Sequence, residues 1–539
     1  MSDYWLSQLI IVPILLPLIS GALLVLFNER HHQLKIAINL LSTLVLLAVA
    51  VALFYLTDSN YWTDGVGVYL AANWMAPFGI ALIADRLASL MLLLTAVMGT
   101  GALLFSFSRW ARVGVHFNSL FQFLLMGLNG AFLTGDLFNL FVFFEVMLAA
   151  SYGLLLHGYN STRIRAGMQY IVINLLGSFF FLVGVALIYA ATGTLNMADI
   201  AARLPGLDDA GRQLLQVGAT ILAIAFLTKS AIWPLCFWLP TSYSAASAPI
   251  AAMLVLMTKV GIYALLRLWL LVFSGSAGES AGFGAEILLW AGMATIAFGV
   301  IGLFASQEPG RMAGYSAIIS SGTLLAAISY AQPSVLSAAL FYLLSSTLAV
   351  GAFMLLIELI ERIRTPGAAL LAVTMEAFAI DDEPQESAGV AIPAAMAFLG
   401  LAFVGCAMVM AGMPPLSGFV AKFTLFHALL NPAGDTSVSL VSWTLMALIL
   451  FSGLASIIAL MRFGVRTFWS SSPALAPHLK INEAAPVLLL LLVGVVMMVQ
   501  AGPLMTYLDR VAAGLHQPEA YIQRVLTETA VPGPTGVHP

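Results

Sequence analysis

Runs of about twenty apolar residues recur from one end of this chain to the other. In a helix each run is long enough to cross the roughly 30 Å hydrocarbon core of a bilayer. Backbone polar groups at that depth must be satisfied inside the protein, and a helix does so within one segment. The expected fold class is therefore an all-α polytopic membrane protein. Of 539 residues, 61% are hydrophobic and only 9% charged, too few charges to cover a soluble protein of this size. The net charge of −4 implies no nucleic-acid partner. Two cysteines, Cys236 and Cys406, both in apolar segments, are too few for a disulfide framework or a cluster site.

Fourteen spans are expected, at roughly 4–27, 34–57, 86–107, 115–134, 137–157, 165–190, 212–238, 247–272, 283–305, 312–330, 335–360, 393–430, 439–463 and 484–506. The first follows an acidic start, Asp3, and reads as a span rather than a cleaved signal peptide. The seventh and twelfth are too long and contain prolines, so each reads as one broken helix. Arginine and lysine set the orientation. Twelve fall in one set of alternating loops, including Arg109, Arg163, Arg362 and Lys480. Six fall in the other: Arg86, Arg203, Arg212, Arg267, Arg510 and Arg524. Both termini should thus lie on the non-cytoplasmic side of the membrane. Residues 365–392, with Glu376, Asp381, Asp382, Glu383 and Glu386, read as a solvated cytoplasmic linker, and the tail "PGPTGVHP" as disordered. The glycines of "GVGVYL" read as loop or packing.

The residues that need a reason are charges inside the spans. The chain has five lysines, and Lys229, Lys259 and Lys422 lie well within apolar runs. A lysine at mid-membrane costs at least about 2.5 kcal/mol, so it persists only with a partner, water or a function. Snorkelling at a span end is the structural alternative. It fits Lys259 poorly, because that residue has about ten apolar neighbours on each side. Lys229 and Lys422 each stand beside a break, the first at Pro234 and the second at Pro414 and Pro415. Carbonyls and amides freed by a break at membrane depth must face protein or water, so a break marks a hydrated pocket. Two such breaks five spans apart suggest two copies of a five-span unit, the second inverted, with sites at the broken helices.

Glu145 is the main buried carboxylate, centred in the fifth span. A lysine across a helix interface would hold it charged; alone it would be neutral and hydrogen-bonded. Asp136 opens the same helix, where capping free amides is the better account. Groups that titrate, about one water wire apart, are all that proton transfer along the midplane requires. The eight histidines are scattered, and no Walker loop, dinucleotide fingerprint or nucleophile elbow stands in a plausible context. No cofactor and no metal are expected.

The pieces "GDLFNLFVFFE", "TKSAIWPLCFWLP", "SAPIAAMLVLMTKVGIYALLR", "GRMAGYSAIISSG" and "GMPPLSGFVAKF", in this order, resemble the antiporter-like subunits shared by respiratory complex I and the Mrp multisubunit cation/proton antiporters. The resemblance covers roughly residues 70–465. It implies 14 helices, with spans 4–8 and 9–13 as inverted five-helix repeats. The chain would then divide into residues 1–114 (three spans), 115–272 (first repeat, with a proton half-channel), 283–463 (second repeat) and 484–539 (last span and tail). It also implies that Glu145, Lys229, Lys259 and Lys422 carry protons, in exchange for sodium or potassium and with partner subunits in the bilayer. The chain departs from the complex I pattern: Cys236 and Ser320 stand where histidines are common, and Ser345, Ser346 or Val350 where a span-eleven histidine or lysine falls. Water held by Ser320, Ser321, Ser345, Ser346 and Thr347 would have to fill that gap; packing is the alternative role for these residues. Three classes fit the residues: an antiporter subunit, a proton-pumping subunit of a redox complex, and a non-translocating scaffold, with a self-sufficient transporter further off.

Overall fold

The computed structural model describes residues 6–28, 31–59, 61–112, 116–158, 161–363, 394–432, 437–468 and 479–529. The expected acidic linker at 365–392 and the tail lie outside the described residues. Among those described, eleven helices are long and apolar enough to cross a membrane. The remaining three expected crossings fall on Val12–Leu26 and Phe117–Leu133, which are shorter, and on Pro309–Ile328, which is rich in serine and glycine. By length and composition, eleven of the fourteen expected crossings are marked among the described residues.

Gly67 of "GVGVYL" is a packing position, since a β-carbon there would lie 2.7 Å from the Trp62 ring; its strand Gly67–Leu70 pairs antiparallel with Ala81–Ala84, Gly67 facing Ala84 and Leu70 facing Ala81. One expectation is corrected. The last span does not run to residue 506 but ends at Val499, and Ala501–His516 and Glu519–Thr527 follow as separate helices. The first of these buries Tyr507, Leu508, Val511, Ala512 and Leu515, a single stripe, which suits a helix lying against the bundle rather than crossing lipid.

Both expected breaks are present. Asp209–Lys229 stops at Lys229, and Leu239–Ala245 resumes after Pro234; Ala394–Ala411 stops before Gly412, and Ser417–Leu430 resumes after Pro414 and Pro415. Gly412 has φ +80°, a left-handed conformation that glycine adopts without steric cost and that ends the preceding helix.

Two helices form the centre. The apolar window of Ala248–Val272 is 100% buried and that of Pro333–Ile363 94%, whereas Ser161–Thr192 and Ala394–Ala411 bury only 33%. The former pair packs against protein on all sides; the latter pair presents Met168, Val172, Leu175, Leu401 and Val404 outward. Helices around the centre approach closely at glycines. A β-carbon on Gly322 would lie 2.8 Å from Gly292 O and 2.9 Å from Thr295 Cβ, and one on Gly184 would lie 2.9 Å from Gly218 O. Such contacts bring backbones together where apolar burial alone gives little drive, because lipid is as apolar as the partner helix. Gly322→Val should overpack the crossing by about 1–3 kcal/mol. A thermal melt of the detergent-solubilised protein should drop, while Gly502→Ala, with nothing within 4 Å of the added carbon, should leave it unchanged.

Candidate functional site

The first lysine ends its helix segment. Lys229 is the last residue of Asp209–Lys229 and is buried, and its Nζ has no hydrogen-bond partner among the described residues. Pro234 breaks the chain just beyond, and the Trp233 amide, left without a helical acceptor, donates to Thr295 Oγ1 at 2.9 Å. Helix Ala248–Val272 comes up against this break because residue 261 is glycine. A β-carbon there would lie 2.4 Å from Ser230 Oγ and 2.7 Å from Phe226 O. Glu145, on Leu137–Leu155, forms no ion pair with Lys229 within 4.0 Å. Its Oε1 accepts instead from the Ser178 hydroxyl. The expected contact across the helix interface is therefore not a direct ion pair, and Ser178 holds the carboxylate. Asp136 caps the Glu145 helix, accepting from Asn139 N at 2.8 Å, the structural reading of that residue.

The second lysine sits midway along its fully buried helix. Lys259 Nζ donates to Ser320 Oγ at 2.9 Å and reaches Ser321 Oγ at 3.5 Å. Ser320 Oγ lies 2.9 Å from Ser346 Oγ, so three side chains on three helices form one hydrogen-bonded line. Ser345, on the same helix as Ser346, donates to Ser417 Oγ at 2.9 Å, at the start of the segment that follows the second break. Thr347 takes no part, because its hydroxyl bonds to Leu343 O of its own helix at 2.6 Å.

Lys422 uses the second break directly. Its Nζ donates to Ala411 O at 2.9 Å and Met410 O at 3.4 Å, carbonyls at the end of Ala394–Ala411. These acceptors are free because the helix stops there, and the negative end of its dipole suits an ammonium. Two glycines make room: a β-carbon on Gly412 would lie 2.6 Å from Lys422 Cδ, and one on Gly453 would lie 3.2 Å from Lys422 Nζ. Lys422, Ser316, Tyr342, Ser345, Ser346 and Ser452 face one small cavity, whose roughly 20 Å³ of room for water centres is enough for a single water. Ser346 thus belongs both to the line from Lys259 and to the space beside Lys422. Hydrogen bonds run from Lys259 to Ser346, and the cavity lies between Ser346 and Lys422 at the second break; hydroxyls, which both donate and accept, are groups that can pass a proton along such a line.

The structure brings Lys259, Ser320, Ser345, Ser346, Lys422 and the Pro414–Pro415 break together, and sets Lys229, Glu145 and Pro234 at the neighbouring break. Several further residues do not stand out in the sequence. Ser178 is one serine among many. Gly261, Gly412 and Gly453 matter by lacking a side chain. Glu358, in "FMLLIELIERI", is a carboxylate within an apolar run, and that cost is the signal that marks it. It accepts from Trp110 Nε1 at 2.8 Å and pairs with Arg362 at 3.0 Å, and Arg362 also pairs with Glu483 at 2.7 Å. Arg267 is not a loop residue: it lies inside Ala248–Val272 and is buried against Asp85. Ser320→Ala should slow any proton movement through Lys259 about tenfold, the equivalent of about 1.5 kcal/mol for a hydrogen bond to a charged group. Exchange assayed at equal protein abundance would check it.

Residues 134–448 match the family described as NADH:quinone oxidoreductase/Mrp antiporter, TM. A Rhizobium meliloti protein, named as the D-type subunit of a probable K(+)/H(+) antiporter, is 53% identical over 97% of this chain and 98% of its own. The D-type Na(+)/H(+) antiporter subunit of Alkalihalophilus pseudofirmus is 35% identical over 97% of this chain and all of its own, 100%. Among solved structures, a chain of the Mrp complex from Dietzia sp. aligns with a TM-score of 0.81 at 25% identity, covering 97% of this chain and 99% of that one. A chain of Thermus thermophilus respiratory complex I aligns at 0.74 with 22% identity, covering 96% of this chain and 100% of that one, a likeness of fold.

Proposed function

The chain belongs to the NADH:quinone oxidoreductase/Mrp antiporter transmembrane family, and from that premise we propose that it is the D-type, proton-translocating subunit of a multisubunit monovalent cation/proton antiporter. It is a transporter subunit rather than an enzyme. The observation that carries the role is the hydrogen-bonded line from Lys259 through Ser320 to Ser346, which borders the space beside Lys422. Protons pass among Lys229, Lys259 and Lys422, with Glu145 setting the charge balance at the first lysine. Serine hydroxyls and water replace the histidines of the complex I pattern. The two broken helices mark two five-span units, residues 115–272 and 283–463, related by inversion. Residues 1–114 and 484–539 flank them.

The proposed partners are subunits of the A, B, C, E, F and G types, with sodium or potassium exchanged against protons. The site of work is the bacterial inner membrane, with both termini on the non-cytoplasmic side, a reading supported by the bias of arginine and lysine among the loops. The likeness to complex I keeps a second reading, a pumping subunit of a redox complex.

The test expresses the whole gene cluster in a strain lacking its own antiporters. Inverted vesicles should show cation-driven proton movement without an electron donor, and Lys229→Ala at equal abundance should abolish it. Proton movement only with a redox substrate would favour the second reading. Normal exchange by Lys229→Ala would remove the lysine from the mechanism.

A further inference from the structure

The ends of the central helices away from Glu358 hold a polar assembly that the lysine line does not use. Lys259, Tyr263 and Arg267 follow one another at four-residue intervals on helix Ala248–Val272 and so stack along one face; all are buried. Tyr263 Oη donates to Phe132 O at 2.6 Å and accepts from Arg267 Nη2 at 3.2 Å. Arg267 grips Asp85 through two bonds of 2.6 and 2.7 Å, and its guanidinium lies 5.5 Å from the Tyr263 ring and 5.3 Å from the Tyr521 ring.

A cavity of about 610 Å³ begins at this pair, lined by Asp64, Asp85, Arg86, Arg267, Arg510 and Tyr521. The Arg510 side chain is 45% exposed, so the cavity opens to solvent. Its volume is many times what one water requires. Eight residues separate Lys259 from Arg267, about 12 Å of helix rise. The Asp85–Arg267 pair therefore stands between the face of the helix that carries the central lysine and the edge of bulk water.

Resting on the antiporter reading above, we propose that Asp85 and Arg267 form the proton gate between Lys259 and an aqueous vestibule on the non-cytoplasmic side. A proton leaves the Lys259 ammonium, which becomes the amine. The Tyr263 hydroxyl, turned from Phe132 O toward Asp85, gives its own proton to the carboxylate and takes the one released by Lys259; Asp85 then passes its proton to water in the cavity. While paired, the Arg267 charge stands across this route and repels a returning proton. Release of Arg267 from Asp85, with the Tyr521 ring still beside its guanidinium, uncovers the carboxylate.

The test uses the whole complex in vesicles. Asp85 caps helix Arg86–Ser106 by accepting from Ala88 N at 2.8 Å, a bond that asparagine keeps. Asp85→Asn combined with Arg267→Gln therefore removes the carboxylate and leaves no unpaired buried charge. At wild-type abundance this double variant should exchange at least about tenfold more slowly. Exchange within about threefold of wild type would make the pair a structural staple and overturn the gate. A second measurement does not depend on that variant. Gln517→Cys, an exposed residue on the cavity wall, should react with a charged, membrane-impermeant maleimide added on the non-cytoplasmic side; absence of labelling, or labelling only from the cytoplasm, overturns the vestibule. Lys229→Ala, run alongside, separates the two claims. If it is dead while the double variant is active, the gate falls and the antiporter reading stands. A wild-type complex without cation-driven proton movement removes both.

Discussion

An ammonium group in the middle of a bilayer must be given something to hold, and the architecture of this chain follows from how it meets that demand three times. Lys422 is held by carbonyls that a broken helix leaves free. Lys259 is held by serine hydroxyls from a neighbouring helix. Lys229 has no hydrogen-bond partner among the described residues and no ion pair with Glu145 within 4.0 Å. Support therefore grows weaker from the second break to the first. A site that gains and loses protons needs this: an ammonium with perfect partners would never release its proton, and one with none would never keep it.

The helix Pro333–Ile363 links these sites mechanically. Ser345 and Ser346 on it border the water space beside Lys422. Three turns further on, Glu358 faces the Ala248 amide at 3.4 Å, at the start of the Lys259 helix, and holds Trp110 and Arg362. A carboxylate at a helix N-terminus complements the helix dipole. The helix that carries Ser345 and Ser346 is thus tied to the helix that carries the central lysine.

Much of this is legible in the sequence, and what is not has physical reasons. Breaks at Pro234 and at Pro414–Pro415 can be read because proline removes a donor wherever it falls, and mid-span lysines because their cost is independent of context. The sequence leaves Ser320 between packing and proton relay, since a serine hydroxyl satisfies itself on its own helix as easily as it reaches a neighbour; only the fold shows that it meets Lys259. The Asp85–Arg267 pair joins residues 182 positions apart, and nothing local announces it. Arg267 reads as a loop residue because its charge outweighs the helix around it. The hairpin Gly67–Leu70 with Ala81–Ala84 is hidden because its glycines suggest loop. The final span reads as too long because the amphipathic helix Ala501–His516 continues the apolar run without a charge until Asp509.

The central claim is that Lys259 works by giving up its proton, not by supplying fixed positive charge. Lys259→Arg tests it most directly: arginine keeps a charge and donors at the same place, but its guanidinium does not deprotonate in proteins. Exchange would be measured in vesicles containing the assembled complex at wild-type abundance. Loss of cation-driven proton movement in this variant is the predicted result. Exchange at the wild-type rate would show that charge alone suffices there, and the proton line from Lys259 through Ser320 and Ser346 would have to be abandoned.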